Sequence, residues 1–230
     1  MEYITQGFAQ AFRIIVSGDA EFLGIVGVSL LVASFSTILA TLTGVPVGVL
    51  VAHKHFRGRQ AVLTLLNTLM SMPTVVVGLM VYSFLSRRGP LGELGFLYTR
   101  TAIVIGQWIL AFPIISGLTV AVVKGLDRRI HTTALSLGAD STQGFRMFLH
   151  EARFGILAAI VAGFGRVFAE VGVSMMLGGN IKGYTRTITT AIALETSKGE
   201  FALGIALGLV LLTVALGVNV LFGLFQRRTE

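Results

Sequence analysis

The sequence predicts an all-α polytopic membrane protein with five transmembrane helices and an N-terminal interfacial helix. Three observations carry that prediction. Of 230 residues, 54% are hydrophobic and 13% charged, a balance that excludes a water-soluble fold. The mean hydropathy is +0.84 over the whole chain. Apolar runs long enough to cross a hydrocarbon core of ~30 Å recur at 22–52, 61–86, 101–123 and 201–225. A fifth, 154–178, qualifies while carrying Arg166 and Glu170 inside it. The expected organisation is an N-terminal segment, 1–21, followed by one transmembrane domain, 22–230, with long loops at 124–153 and 179–200.

Ile4, Phe8, Ala11, Phe12 and Ile15 recur at helical spacing, which suits a helix lying in the membrane interface. The first run would span about 46 Å as a helix, so it must tilt, kink near Gly44 to Pro46, or project beyond the bilayer. Its length and its acidic leader (Glu2, Asp19, Glu21) argue against a cleaved signal peptide. The connector 53–59 is short and basic, and its histidines, His53 and His55, have no acidic partner nearby to make a metal site.

The second run contains Met70-Ser71-Met72-Pro73-Thr74, where proline removes a backbone donor and frees a carbonyl in mid-membrane. Such a break is tolerated where the backbone is buried in protein or lines a watery cavity. Arg87-Arg88-Gly89-Pro90 begins an outer turn, and Phe112-Pro113 predicts a bend in the third run. The polar stretch that follows, 124–153, is too long and too patterned for a connector, so it should dock a partner.

In the fourth run Arg166 and Glu170 are spaced i,i+4, on one face of one helix, where they can neutralise each other. An intramembrane pair should face the bundle interior or an aqueous cavity. A clamp fixing helix orientation, contact with a passing anion, and pairing across a dimer interface are the roles open to it. The loop 179–200 opens with turn residues and continues as a short apolar-periodic stretch, a re-entrant or interfacial helix. Lys182 and Arg186, with Arg87, Arg88 and Arg100, would make the outer face electropositive, toward an anion, an acidic partner or lipid headgroups.

The net charge of +7 is a statement about orientation, not about nucleic acid, because the basic residues sit in short loops beside spans. An odd number of spans puts the termini on opposite sides. With the N-terminus outside and the C-terminus cytoplasmic, the basic residues of 54–59, 124–129, 146–153 and 227–228 face the cytoplasm and outnumber those outside. The absence of cysteine excludes disulfides and thiolate metal sites.

Four stretches together resemble the type I ABC-importer permease family, and within it the molybdate, tungstate and sulfate branch. They are Ser71-Met72-Pro73-Thr74 through Leu79 with Arg87 through Gly92, the loop 124–153, Arg166 through Gly172, and Gly179 through Thr187. The wording of 149–156 and the N-terminal stretch look most like a tungstate-transporter permease. The resemblance covers roughly 22–225 and implies a type I ABC-importer (MetI-like) fold. It makes 124–153 a coupling loop in which Ala134, Leu135, Leu137, Gly138, Ala139 and Asp140 meet an ATPase. The family's glutamate and loop proline are absent, with Thr132 and His150 in their places.

No Gly-x-x-x-x-Gly-Lys-Ser/Thr sequence is present, so the resemblance implies a transporter subunit, not an enzyme, with ATP and Mg held by the partner ATPase and no cofactor in this chain. The implied partners are a second copy of the chain, a cytoplasmic ABC ATPase dimer, an extracytoplasmic oxyanion-binding protein and membrane lipid. The implied location is the prokaryotic inner membrane. Pro73, Thr74, Gly172 and Ser174 are pathway candidates because they offer hydrogen bonds without a fixed charge that would trap an anion. Asn180, Lys182, Thr185 and Arg186 are candidates for docking the binding protein. Tungstate is the first substrate expected, with molybdate or sulfate as alternatives. A secondary anion transporter would need an inverted repeat or an acidic relay, and neither is evident. A membrane enzyme would need a convergent constellation, and the four histidines supply none.

Overall fold

The structure, a computed structural model, describes residues 2–54, 56–127, 136, 138 and 140–227. The described secondary structure is helical throughout: α1 Glu2–Ser17, α2 Ala20–His53, α3 Arg59–Met70, α4 Thr74–Leu85, α5 Arg100–Gly125, α6 Ser141–Phe168, α7 Gly172–Gly178, α8 Ile188–Lys198 and α9 Phe201–Arg227. A 3-10 turn, Gly92–Leu94, interrupts the connection from α4 to α5. Among the described residues four helices are long and apolar enough to cross a membrane, and the bent pair α3 and α4 makes a fifth if it is one span.

The amphipathic α1 packs on α9 through a fully buried Ala11, while Phe8, Phe12 and Val16 stay exposed. Asp19 caps α2 by accepting from the Phe22 N–H at 3.3 Å. The other end of α2 is closed by Arg59, whose Nε and Nη2 donate to the carbonyls of Val51 and Ala52, each at 2.8 Å. Arg59 thereby satisfies acceptors that a helix terminus leaves orphaned.

Helix α5 is the hub, packing on α2, α3, α4, α6 and α7. Its most extensive crossing is with α2, where Gly48 lies so close that a Cβ would stand 2.7 Å from both the Ser116 carbonyl oxygen and Thr119 Cβ. Small residues let apolar helices approach backbone to backbone, which replaces a hydrophobic drive that lipid cannot supply. Pro46 and Pro113 both lie inside continuous helices.

Pro73 behaves differently. The stretch 61–86, expected as a single span, is two 12-residue helices bent by 101°, with Pro73 as the N-cap of the second. Neither half is long enough to cross alone. The stretch 154–178 is likewise divided. Helix α6 already begins at Ser141, within the expected loop, and ends at Phe168, before the separate short α7. At the start of α6, Asp140 and Gln143 form a capping box. Leu149 and Phe145 then pack with Val49, Val123 and Ala152, so α2, α5 and α6 are knit together at that end. The helical part of 179–200, α8, buries Ile188, Thr189, Thr190, Ala191 and Glu195 and packs against α9 and α2.

Candidate translocation site

The two interruptions meet. Helix α4, which starts at the Pro73 break, packs against α7, which starts after the break at 169–171. At the break itself Gly172 faces α4, where a Cβ would stand 3.3 Å from Glu170 Oε1 and 3.4 Å from both Thr74 Oγ1 and Val75 Cγ2. Gly78 makes the tighter approach, 2.9 Å from Met176 Sδ and 3.5 Å from Val173 Cα by the same measure. Irregular backbone from two spans is thus brought side by side, an arrangement compatible with a membrane only where it is buried in protein or lines a cavity.

Glu170 organises the second break. Arg166 Nη1 lies 2.8 Å from Glu170 Oε2, with the arginine side chain 41% exposed and the glutamate 3%. The spacing predicted a pair along one helix face, but α6 ends at Phe168 and the bond instead bridges the end of the helix to the break. Glu170 Oε1 accepts from the Val173 N–H at 3.2 Å, and the Glu170 carbonyl accepts from Thr189 Oγ1 at 2.7 Å. The carboxylate therefore caps α7 as well as balancing the arginine, which is how a nearly inaccessible charge is accommodated.

A second polar clasp was not anticipated from the sequence. Gln107, 2% exposed, donates from Nε2 to the Val167 carbonyl at 3.2 Å and to Ser174 Oγ at 3.3 Å, and its Oε1 accepts from Ser36 Oγ at 3.1 Å. One amide thus ties α2, α5, α6 and α7, and it adds a second donor to the Val167 carbonyl, which also accepts from the Glu170 N–H at 3.2 Å. The signal was available as a lone amide within an apolar run. Ser174, expected on the pathway, is fully buried in this network and presents no open surface. Pro73, Thr74 and Gly172 do lie at the junction.

The loop that follows α7 is tied down more than expected. Thr185 is fully buried, donating to the Gly178 carbonyl at 2.5 Å and accepting from the Ile181 N–H at 3.0 Å. Arg186 is 12% exposed and reaches Glu21 at 3.4 Å, while Lys182, 67% exposed, meets the same carboxylate at 2.7 Å. Thr185 and Arg186 therefore brace the loop from within, and only Lys182 of these three offers a substantial free surface. Asn180 has a positive φ of 50° and donates from Nδ2 to the Thr190 carbonyl at 3.4 Å. Acidic Glu21, read as part of a leader, is the anchor that joins this loop to α2.

Of the residues expected to meet an ATPase, Ala134, Leu135, Leu137 and Ala139 lie outside the described residues. Gly138 has φ of +91°, a backbone conformation that favours glycine. The Asp140 carboxylate is engaged as the α6 cap, accepting from the Thr142 and Gln143 N–H groups at 2.8 Å each. His150 lies inside α6 beside Arg153, at a position where a proline would interrupt the helix.

A broken span packed at its break against the short helix that follows another span belongs to a multi-pass fold that solved ABC-importer permeases share. A chain in the crystal structure of a bacterial alginate ABC transporter matches it with a TM-score of 0.76 at 19% identity, covering 100% of this chain and 89% of that one. A chain of the inward-facing MetNI methionine ABC transporter matches at 0.75 and 17%, covering 91% and 96%. The family described as binding-protein-dependent transport system inner membrane component matches residues 44–230, and this chain belongs to it. Among its relatives, the tungstate uptake system permease protein TupB of Peptoclostridium acidaminophilum is 41% identical over 219 residues, covering 95% of this chain and 96% of the relative. TupB of Campylobacter jejuni is 40% identical over 219 residues, covering 95% and 92%. A probable anion ABC transporter permease protein of Haloferax volcanii is 39% identical over 210 residues, covering 89% and 90%.

Proposed function

We propose that this chain is the transmembrane subunit of an ABC importer for a tetrahedral oxyanion, tungstate first, working by alternating access with energy from a separate ATPase. The observation that carries the reading is about two-fifths identity to two tungstate uptake permeases across nearly the full length of all three chains. Two copies enclose a pathway, each presenting its coupling loop to one of two cytoplasmic ATPases that hold ATP and Mg. An external oxyanion-binding protein docks on the outer loop around Asn180 and Lys182. The N-terminus is outside and the C-terminus cytoplasmic. Segment 1–21 lies at the interface, and 22–230 forms the permease domain.

The geometry supports a mechanical route for the energy. Helix α6 runs unbroken from its Asp140 cap to Phe168, about 42 Å, so it links the coupling loop to the break held by Arg166 and Glu170. Rocking α6 with the ATPases would move Gly172 relative to Thr74 and change which side the junction opens to. The test is ATP hydrolysis by the reconstituted complex with its binding protein. Tungstate is expected to stimulate it at lower concentration than molybdate or sulfate. Stimulation by another solute and by no oxyanion would refute the reading.

A further inference from the structure

We propose that Arg166 is a substrate-contacting arm that exchanges Glu170 for the passing tetrahedral dianion, and that its face of α6 lines the pathway. The inference rests on the oxyanion-importer reading and gives one side chain in it a specific role. It starts from exposure. Arg166 is 41% exposed on a helix long and apolar enough to cross a membrane, and its exposed neighbours on that face are Ala162, Gly165 and Ala169. A guanidinium turned toward hydrocarbon is expensive, so this face looks onto water or protein. Gly165 and Ala169 also border an apolar groove walled by Phe164, Phe168, Leu211 and Leu212, but neither Arg166 nor Ala162 lines it, and the side chain one turn before the arginine is a small one.

Bonding makes exchange feasible. The pair engages one terminal nitrogen, Nη1, of a guanidinium whose five N–H donors suit bidentate capture of an oxyanion. Glu170 does not depend on the arginine alone for its position, because the Val173 N–H holds its other oxygen at 3.2 Å and Thr189 holds its carbonyl. When Arg166 turns away, the carboxylate keeps a charge-assisted hydrogen bond. Beside it, the bare Cα of Gly172 leaves the Thr74 hydroxyl within reach of the same space. A competing carboxylate also solves the release problem. An arginine with no resting partner would retain a dianion, whereas one that can return to Glu170 lets it go, and conduction requires binding weak enough to leave.

The chain contains no cysteine, so single cysteines report directly on this face. In the assembled complex in proteoliposomes, Ala162→Cys is expected to react with a charged methanethiosulfonate reagent, and tungstate is expected to slow that reaction. Leu216→Cys on α9, 66% exposed, is the comparison and should stay unreactive. Arg166→Lys keeps the charge and loses the fork, and it should lower tungstate uptake per ATP hydrolysed by about tenfold. The exchange Arg166→Glu with Glu170→Arg retains an ion pair but moves the arginine to the buried site, and uptake should not return. An unreactive Ala162→Cys, or a swapped pair that restores uptake, would overturn the inference by making the pair a clamp or a contact between copies. Failure of the unaltered complex to take up any oxyanion would instead remove the importer reading beneath it.

Discussion

Gly172 sits where the two breaks meet, and a Cβ there would stand 3.3 Å from Glu170 Oε1 and 3.4 Å from both Thr74 Oγ1 and Val75 Cγ2, room that a methyl group fills and a branched side chain exceeds. Gly172→Val is expected to destabilise the subunit by about 1–3 kcal/mol through overpacking and to reduce transport, with Gly172→Ala less severe. Thermal unfolding of the purified complex and uptake assays check both. Gln107→Leu keeps bulk but removes the amide bonded to the fully buried Ser174 hydroxyl, while Ser36 keeps the Val32 carbonyl and the Val167 carbonyl keeps the Glu170 N–H, and it should cost about 1–3 kcal/mol in the same measurement. An unchanged midpoint would refute the clasp. The sequence exposed Arg166 and Glu170 readily, since charges stand out in an apolar run. It concealed the role of Gln107, because an uncharged amide barely perturbs hydropathy and its three partners lie on other elements. The burial of Thr185 and Arg186 was hidden for a related reason. Polar residues in a loop look available until their internal acceptors are known.

At the scale of elements, proline marked candidate breaks but did not rank them. Pro46 and Pro113 lie within α2 and α5, whereas Pro73 caps a helix set at 101° to its predecessor. The break at 169–171 contains no proline, so nothing local announced it. It is stabilised instead by Glu170 capping α7 and by Gln107 serving the end of α6. The crossing of α2 and α5 was equally hidden, because Gly44 and Gly48 reveal their purpose only against Ser116 and Thr119. Gly48→Leu should force those backbones apart and prevent stable assembly, and size-exclusion chromatography of the co-expressed complex would show it. Gly138 makes a different prediction, since a Cβ there meets nothing within 4 Å but φ is +91°. Gly138→Val is expected to insert normally and to lose transport-coupled ATP hydrolysis, because a β-branched residue is strained in that conformation. Coupling that survives the substitution would contradict the turn's role.

For the whole molecule, the proposed orientation follows from counting the bent pair among the described residues as one span, since five crossings put the termini on opposite sides. A fluorescent protein fused to the C-terminus should fold and fluoresce, as it does only in the cytoplasm, while a dark fusion that gains activity with a periplasmic reporter would reverse the orientation. Family membership and an ion pair at a helix break still leave two energy sources to separate, ATP and an ion gradient. The most direct measurement is tungstate uptake into proteoliposomes holding this chain alone, this chain with its ATPase, and both with the binding protein. ATP-dependent uptake only in the complete assembly is the predicted result. Uptake driven by an ion gradient in liposomes holding only this chain would contradict it.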